Sequence, residues 1–293
     1  MLDDDPTGVQ TLAGIRVLLD WTPERIAAAL AGRRAVHLIT NSRALTPERA
    51  RSVVEAAARA ALAGLPEADL VLRGDSTLRG HLLEEYLAVR DAAMPDCDPV
   101  LLLVPALPSA GRITVDGVHL IERDGDRVPL HETEYARDGV FAYRDARLLS
   151  WADDRSGGWF PATNGRGLTL SALRRDGPSA VADALDALAA VGAPAVLAPD
   201  AETVADVDAI ARGYERAVAG GAHVVVRCAP LFAGVLAHTT ARGTVPAPRA
   251  NGGGLLVVCG SYVPTTTRQL GRLTAHRHGT LVEVDVDALA SDD

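Results

Sequence analysis

Leu70 to His81 reads LVLRGDSTLRGH, an aliphatic run that breaks at Gly74 into a polar turn and leads into an Ala- and Leu-rich stretch ending near Ala92. An apolar run of strand length, a glycine-punctuated turn and an amphipathic stretch from Gly80 make one strand–turn–helix unit. The same unit recurs on both sides. Upstream, strands are expected at Ile15–Leu19 and Val36–Thr40, with helices at Pro23–Ala31 and Pro47–Ala63. Thr46 reads as the N-cap of the second helix, with proline at its first position. Downstream come strands at Val100–Val104, Leu168–Ser171, Ala195–Ala198 and His223–Arg227, and helices at Pro178–Val191 and Thr203–Ala219. Strands alternating with crossover helices predict an α/β fold built on a parallel, Rossmann-like sheet.

The alternation lapses between about Thr114 and Gly167. There Glu122 to Val128, ERDGDRV, reads as a hairpin on its Asp-Gly pair. The rest reads as an irregular insertion of the kind that forms lids or binding loops. Residues 243–254, GTVPAPRANGGG, read as a linker. It separates an N-terminal domain over 1–242 from residues 255–293. In that last stretch a strand at Leu255–Val258, a helix at Pro264–Ala275 and a strand at Thr280–Val284 open a second α/β unit, too small to fold alone. The acidic turn directly after Leu2 and the abrupt end at Asp293 suggest a sequence cut at both ends relative to a longer protein.

With 293 residues, 48% of them hydrophobic, the chain can bury a sizeable core. A net charge of −9 offers no basic face to nucleic acid. No apolar run approaches the roughly 18 residues of a membrane span, nothing at the start reads as a signal peptide, and a cytoplasmic location is expected. Cys97, Cys228 and Cys259 lie far apart without metal-ligand spacing and read as free, buried thiols. All 29 basic residues are arginine, so no lysine is available to clamp a phosphate or act in catalysis.

Five segments carry candidate chemistry. Asp3 to Gly8, DDDPTG, packs carboxylates that repel one another unless a cation or substrate hydroxyls lie between them. It reads equally as an acidic turn, and Asp3-x-Asp5-x-Thr7 also imitates the nucleophile motif of a metal-dependent phosphatase. Ser42 and Arg43 follow a strand and either bind a ligand's hydroxyls and carboxylate or merely cap the next helix. Arg73 to His81 places two arginines, an aspartate, two hydroxyls and two glycines within nine residues, at a strand's carboxyl end where open α/β sheets bind ligands. Arg73 and Arg79 bring planar donors suited to a carboxylate or a phosphate, Ser76 and Thr77 supply hydroxyls, and Asp75 either holds an arginine in position or accepts a substrate hydroxyl. Pro105 to Thr114 continues the same rim. Cys259 to Leu270 has a Gly-Ser turn entering a helix, which either cradles a phosphate or only caps the helix. No P-loop and no GxGxxG occurs.

Taken in order, these segments resemble the four-carbon acid sugar kinases. Asp4-Asp5-Pro6-Thr7-Gly8 is similar to the family's opening Asp-Asp-x-Thr-Gly. Ser42-Arg43, Asp75-Ser76-Thr77-Leu78-Arg79-Gly80 and Pro105 through Gly111-Arg112-x-Thr114 continue the likeness, as does Gly260-Ser261 with Thr266 and Gln269. The resemblance implies an N-terminal domain that binds a tetronate or 3-oxo-tetronate, an ATP-binding C-terminal domain, and transfer of the γ-phosphoryl group to a substrate hydroxyl with Mg2+ offsetting charge. It implies that Asp4, Thr7, Gly8, Ser42, Arg43, Arg73, Ser76, Arg79, Gly111 and Arg112 hold the sugar acid. Asp5 and Asp75 are the candidates for general base, and Gly260, Ser261, Thr266 and Gln269 would meet the nucleotide. The sequence departs from the family at Arg73, where lysine is common, at His81, where asparagine is, and at Val263, where a small hydroxyl residue is usual. A Gly-Gly-x-Thr segment used on ATP is absent, so most of the ATP domain is expected to lie outside this sequence. No metal ligands are assigned. A non-catalytic sugar-acid-binding module stands as the alternative function, and a homodimer is compatible with the sequence.

Overall fold

The run VLLLV at Val100–Val104 is apolar at every position, the pattern of a strand covered on both faces. The computed structural model, which describes residues 1–6, 12–123, 125–239, 256–261, 263–276, 279–285 and 288, shows why. The chain divides into two compact units, Met1–Thr244 and Val245–Asp293.

In the first unit an eight-stranded sheet is parallel throughout, in the order β2-β3-β1-β4-β11-β5-β10-β9. Its strands are β1 (Leu2–Asp3), β2 (Arg16–Leu18), β3 (Val36–Ile39), β4 (Val71–Arg73), β5 (Val100–Val104), β9 (Arg166–Leu168), β10 (Val196–Pro199) and β11 (Val224–Cys228). Helices α1 (Pro23–Leu30), α2 (Pro47–Gly64), α3 (Leu82–Ala93) and α4 (Leu148–Arg155) supply one apolar layer, and α5 (Leu170–Asp176), α6 (Pro178–Ala189), α7 (Val204–Ala219) and α8 (Pro230–Leu236) the other. Strand side chains alternate faces, so β5 sends Leu101 and Leu103 into the first core and Val100, Leu102 and Val104 into the second. Two-residue β1 sits between β3 and β4, its Leu2 level with Leu38 of β3 and Leu72 of β4. Because every strand runs the same way, all carboxyl ends meet at one edge, and the acidic turn after β1 emerges between the loops that follow β3 and β4.

The expected strands agree with those observed, except around residue 168. Leu168–Ser171 is not one strand: β9 ends at Leu168, and α5 starts two residues later because the Thr169 hydroxyl caps it, accepting from the Ala172 amide at 3.3 Å. Helix α3 opens at Leu82 rather than Gly80, since Leu78 and Gly80 take positive φ of 66° and 112°. Thr46 occupies the N-cap position before Pro47, but its hydroxyl makes no capping hydrogen bond.

The insertion is more regular than its sequence suggests. An antiparallel sheet of β6 (Arg112–Val115), β7 (Val118–Arg123) and β8 (Asp126–Pro129) fills its first third. The hairpin expected at Glu122–Val128 is the β7–β8 turn, and Asp116-Gly117, both with positive φ, makes a second Asp-Gly turn between β6 and β7. Short 3₁₀ turns and α4 complete it. Thr114 exchanges backbone hydrogen bonds with Ala201 after β10, which anchors the small sheet to the rim of the large one.

In the second unit the described residues form one helix, α9 (Pro264–His276), close to its expected span. The strands expected at Leu255–Val258 and Thr280–Val284 are not formed. Leu255 lies outside the described residues, while Leu256, Val258, Leu281 and Val282 are exposed and pair with no neighbouring strand. The linker residues 243–254 also lie outside the description. Of the three free cysteines, only Cys228 is buried, Cys97 being half-buried and Cys259 exposed. Among the described residues no helix is long and apolar enough to cross a membrane.

Candidate functional site

Charged side chains at the carboxyl edge of the central strands form two layers. The inner layer is almost fully buried: Asp3 ending β1 and Asp4 after it, Ser42 after β3, Arg73 ending β4, Glu85 on α3 and Arg227 on β11 are each 4% exposed or less. Asp3 has both oxygens in use. One accepts from the Arg73 guanidinium, including Nε at 2.8 Å, and from the Asp5 amide at 3.3 Å; the other meets His37 Nδ1 at 3.0 Å. Arg73 also donates to the Gly74 and Asp5 carbonyls at 3.3 and 3.1 Å. Arg73, read from sequence as suited to a carboxylate ligand, is therefore an internal tie between β4 and the acidic turn. Asp3 itself is fully buried and held between Arg73 and His37.

Ser42 likewise turns inward, donating to Glu85 at 2.6 Å and lying 3.1 Å from the Thr40 hydroxyl. The other oxygen of Glu85 accepts from Arg227, which also donates to the Arg79 carbonyl at 3.2 Å. Burial works against the charge on Arg227, but Glu85, Asp4 and Asp75 outweigh it and raise its pKa.

Asp4 is the exception within this layer. Among the described residues neither carboxyl oxygen has a hydrogen-bond partner, and the nearest cations are Arg73 at 3.5 Å and Arg227 at 4.0 Å. Burial pushes this carboxyl up from 3.8 to about 7, with Glu85 adding to the shift while Arg73, Arg227 and Arg43 oppose it. A folded pKa above the unfolded one means that the stability contributed by the proton is complete below about pH 4 and is lost as pH rises through about 7. Asp4→Asn has no such proton to lose. Its stability is expected to gain on that of the wild type between about pH 4 and pH 7, by on the order of 1–2 kcal/mol. Parallel pH–stability curves for the two proteins would count against the buried acid.

The outer layer is partly open. Arg43 pairs with Asp5 and reaches within 3.8 Å of Asp75. Asp75 accepts from the Thr77 hydroxyl and from Arg79 Nε at 2.7 Å. Burial would raise the Asp75 pKa, but Arg79, Arg43 and Thr77 together hold it below the usual carboxylate range. A carboxylate so held makes a weak base and a firm orienter of guanidinium groups. Arg79 stacks over the Tyr135 ring at 5.6 Å, with Asp138 at 3.7 Å, and Arg112 lies over the same ring at 5.6 Å. Arg112 Nε is buried without a partner, and Gly111 makes the turn before it, where a Cβ would stand 2.7 Å from the Glu122 carbonyl oxygen. Ser76 is 7% exposed.

The insertion holds this loop from above. His119 Nε2 meets the Ser76 carbonyl at 3.0 Å, and the Tyr143 hydroxyl donates to the Thr77 carbonyl at 2.9 Å. Burial lowers the His119 pKa to about 4, so the ring is neutral near pH 7, with its proton on Nε2 facing the carbonyl and Nδ1 free to accept from Thr114 at 3.0 Å.

The structure thus brings Asp5, Arg43, Asp75, Arg79 and Arg112 to one rim, with Asp4, Ser42 and Arg73 beneath. Thr7 and Gly8 lie outside the described residues. In the second unit Gly260, Ser261 and Gln269 are exposed, and the Ser261 hydroxyl is 2.9 Å from that of Thr266. Sequence reasoning missed Glu85, Arg227, His119, Tyr135, Asp138 and Tyr143. Two left a trace: Glu85 interrupts the apolar stripe Leu82–Tyr86–Val89, and Arg227 interrupts the run VVVRC. Among the described residues no cluster of three His, Cys, Asp or Glu side chains is arranged to hold a metal ion.

Comparison with known proteins places this rim in context. A family described as "Sugar-binding N-terminal domain" matches residues 1–236. A D-erythronate kinase of Heliobacterium modesticaldum is 33% identical over 87% of the chain and 53% of its own length. A D-threonate kinase of Salmonella typhimurium is 28% identical over 89% of the chain and 56% of its own length. The chain thus spans about half the length of these curated relatives. A crystal structure of a domain of unknown function from Bordetella bronchiseptica, a domain-swapped dimer with bound citrate, aligns with a TM-score of 0.56 and 26% identity over 80% of this chain and 55% of that one.

Proposed function

Because the chain belongs to the sugar-binding N-terminal domain family of the four-carbon acid sugar kinases, we propose that it forms the substrate half of a kinase that phosphorylates a hydroxyl of a tetronate or 3-oxo-tetronate with ATP. The observation that carries this reading is the outer layer: Arg43 and Arg79 converge on Asp75 at a partly open rim, fixed from below by a buried ionic layer. Two forked cations held at one carboxylate suit a small anionic ligand that displaces or shares it. Arg79, with Arg43 and Arg112, would take the ligand carboxylate, while Asp75 and Ser76 would take hydroxyls. The erythronate and threonate kinases among the relatives support a four-carbon acid, and citrate, a hydroxy acid, in the Bordetella protein supports an anion of this class.

ATP would supply the phosphoryl group in the complete enzyme, with Mg2+ arriving on the nucleotide. Residues 255–293 would open the ATP-binding domain, 1–242 being the sugar-acid domain and 243–254 the link. Gly260, Ser261, Thr266 and Gln269 fit one phosphate contact at a helix start, which is only part of a nucleotide site. The dimer seen in the Bordetella protein supports pairing of two copies here as well.

A thermal-shift panel tests the reading. D-erythronate or D-threonate at about 100 times its dissociation constant should stabilise the chain by about 2.7 kcal/mol, several degrees in melting temperature. No shift with either acid or their 3-oxo forms would contradict it. Phosphorylated acid, sought by phosphorus NMR after adding ATP and Mg2+, separates a kinase from a binding module.

A further inference from the structure

We infer that Arg227, 142 residues from Glu85 in sequence and on the neighbouring strand to β4, is the positioning residue that sets the Gly74–Gly80 loop and couples it to the loop after β3. The inference rests on reading that loop as the sugar-acid site. Its basis is space as much as charge. A Cβ on Gly74 would stand 2.8 Å from the Arg227 guanidinium carbon, and one on Gly80 would stand 2.7 Å from its Nη2. Real Cβ atoms essentially never come that close; Gly80 is also set by its φ of 112°, so Gly74 is the glycine whose lack of a side chain answers to the guanidinium lying under the loop. What occupies the space beside Gly74 is a side chain of the protein itself.

Arg227 then uses its donors on two structures at once. Nη2 donates to the Arg79 carbonyl at 3.2 Å, fixing the backbone that carries the outermost arginine of the rim. Nη1 donates to Glu85, whose other oxygen accepts from Ser42, and Ser42 adjoins Arg43. One buried cation therefore sets the backbones that present Arg79 and Arg43. A lysine cannot do this, because its single ammonium has no fork to span Glu85 and the Arg79 carbonyl. Leu78, held at a positive φ of 66° within the same loop, is a bulky residue in a conformation that persists only where surrounding contacts enforce it. Arg227 below, with His119 and Tyr143 above, supplies those contacts.

Hydrogen exchange and ligand titration on the same proteins test this. In Arg227→Gln, amides of residues 74–81 and 40–45 are expected to exchange roughly tenfold faster, while those of α6 and α7 keep their protection. D-erythronate and D-threonate affinity should fall by roughly tenfold or more, with Arg227→Lys in between. Gly74→Ala, which presses a methyl against the guanidinium, should loosen the same loop, and this effect should vanish in an Arg227→Gln background. Unchanged loop exchange, equal loss of protection everywhere, or a loosened loop with unaltered affinity would each overturn the inference. If neither acid binds the wild type, the sugar-acid reading fails, and the loop exchange of Arg227→Gln and its dependence on Gly74→Ala still decide whether Arg227 sets the loop.

Discussion

Arg73→Met is expected to cost about 3–5 kcal/mol of folding stability, the cost of leaving one member of a buried ion pair alone. Asp3 is fully buried, and among the described residues the Arg73 guanidinium is the cation paired with it, the His37 imidazole, whose pKa burial lowers, meeting its other oxygen. Removing the guanidinium also strips donors from the Gly74 and Asp5 carbonyls, so the effect falls on the point where β1 meets β4. For a chain of this size that loss lowers the melting temperature by on the order of 10 °C. Arg73→Lys restores a charge but not the fork and should recover only part of it. A melting temperature within a degree or two of wild type in Arg73→Met would mean that the Asp3–Arg73 pair is not a structural tie.

Arg79→Ala should have the opposite profile. Its side chain is about one-fifth exposed and its partner Asp75 keeps Arg43 at 3.8 Å, so less stability is at stake than at the Asp3–Arg73 pair. Affinity for a four-carbon acid should fall by roughly 30- to 1,000-fold, the loss of two charge-assisted hydrogen bonds to a carboxylate. Arg79→Lys keeps the charge without the planar fork and should fall between. Titration of both variants against D-erythronate checks the order, and an Arg79→Ala protein that binds as the wild type does would remove Arg79 from the site.

Much of the fold was legible for one physical reason. Strands buried on both faces, such as VLLLV, read as near-continuous apolar runs, and the helices between them carry ordinary capping and amphipathic signals. The insertion hid because its elements are short. Yet the Asp-Gly signal read at 124–125 also stands at 116–117, where it went unread and makes a turn of the same kind. Leu256–Val258 and Leu281–Val284 have strand composition, but a strand needs a partner, and none is formed among the described residues.

At the site, what clusters in sequence was found: Asp75 and Arg79 four residues apart, and Arg43 beside them across the sheet edge. What sequence adjacency could not tell was which side of the rim a side chain takes. Arg73 and Ser42 belong to polar segments, yet both point down into the buried layer. Glu85 and Arg227 belong to apolar segments and reach the site from beneath. A charge inside an apolar run is costly to bury and is kept only with a partner. The partner, however, lies 142 residues away, a distance that periodicity cannot bridge.

On the proposed function the loop from Gly74 to His81 clamps a sugar acid through Arg79. Isothermal titration of the chain with D-erythronate and D-threonate tests it most directly. A saturable heat at one acid per chain, lost in Arg79→Ala while the melting temperature holds, is the predicted result; no heat from either acid, or the same heat from Arg79→Ala, would contradict it.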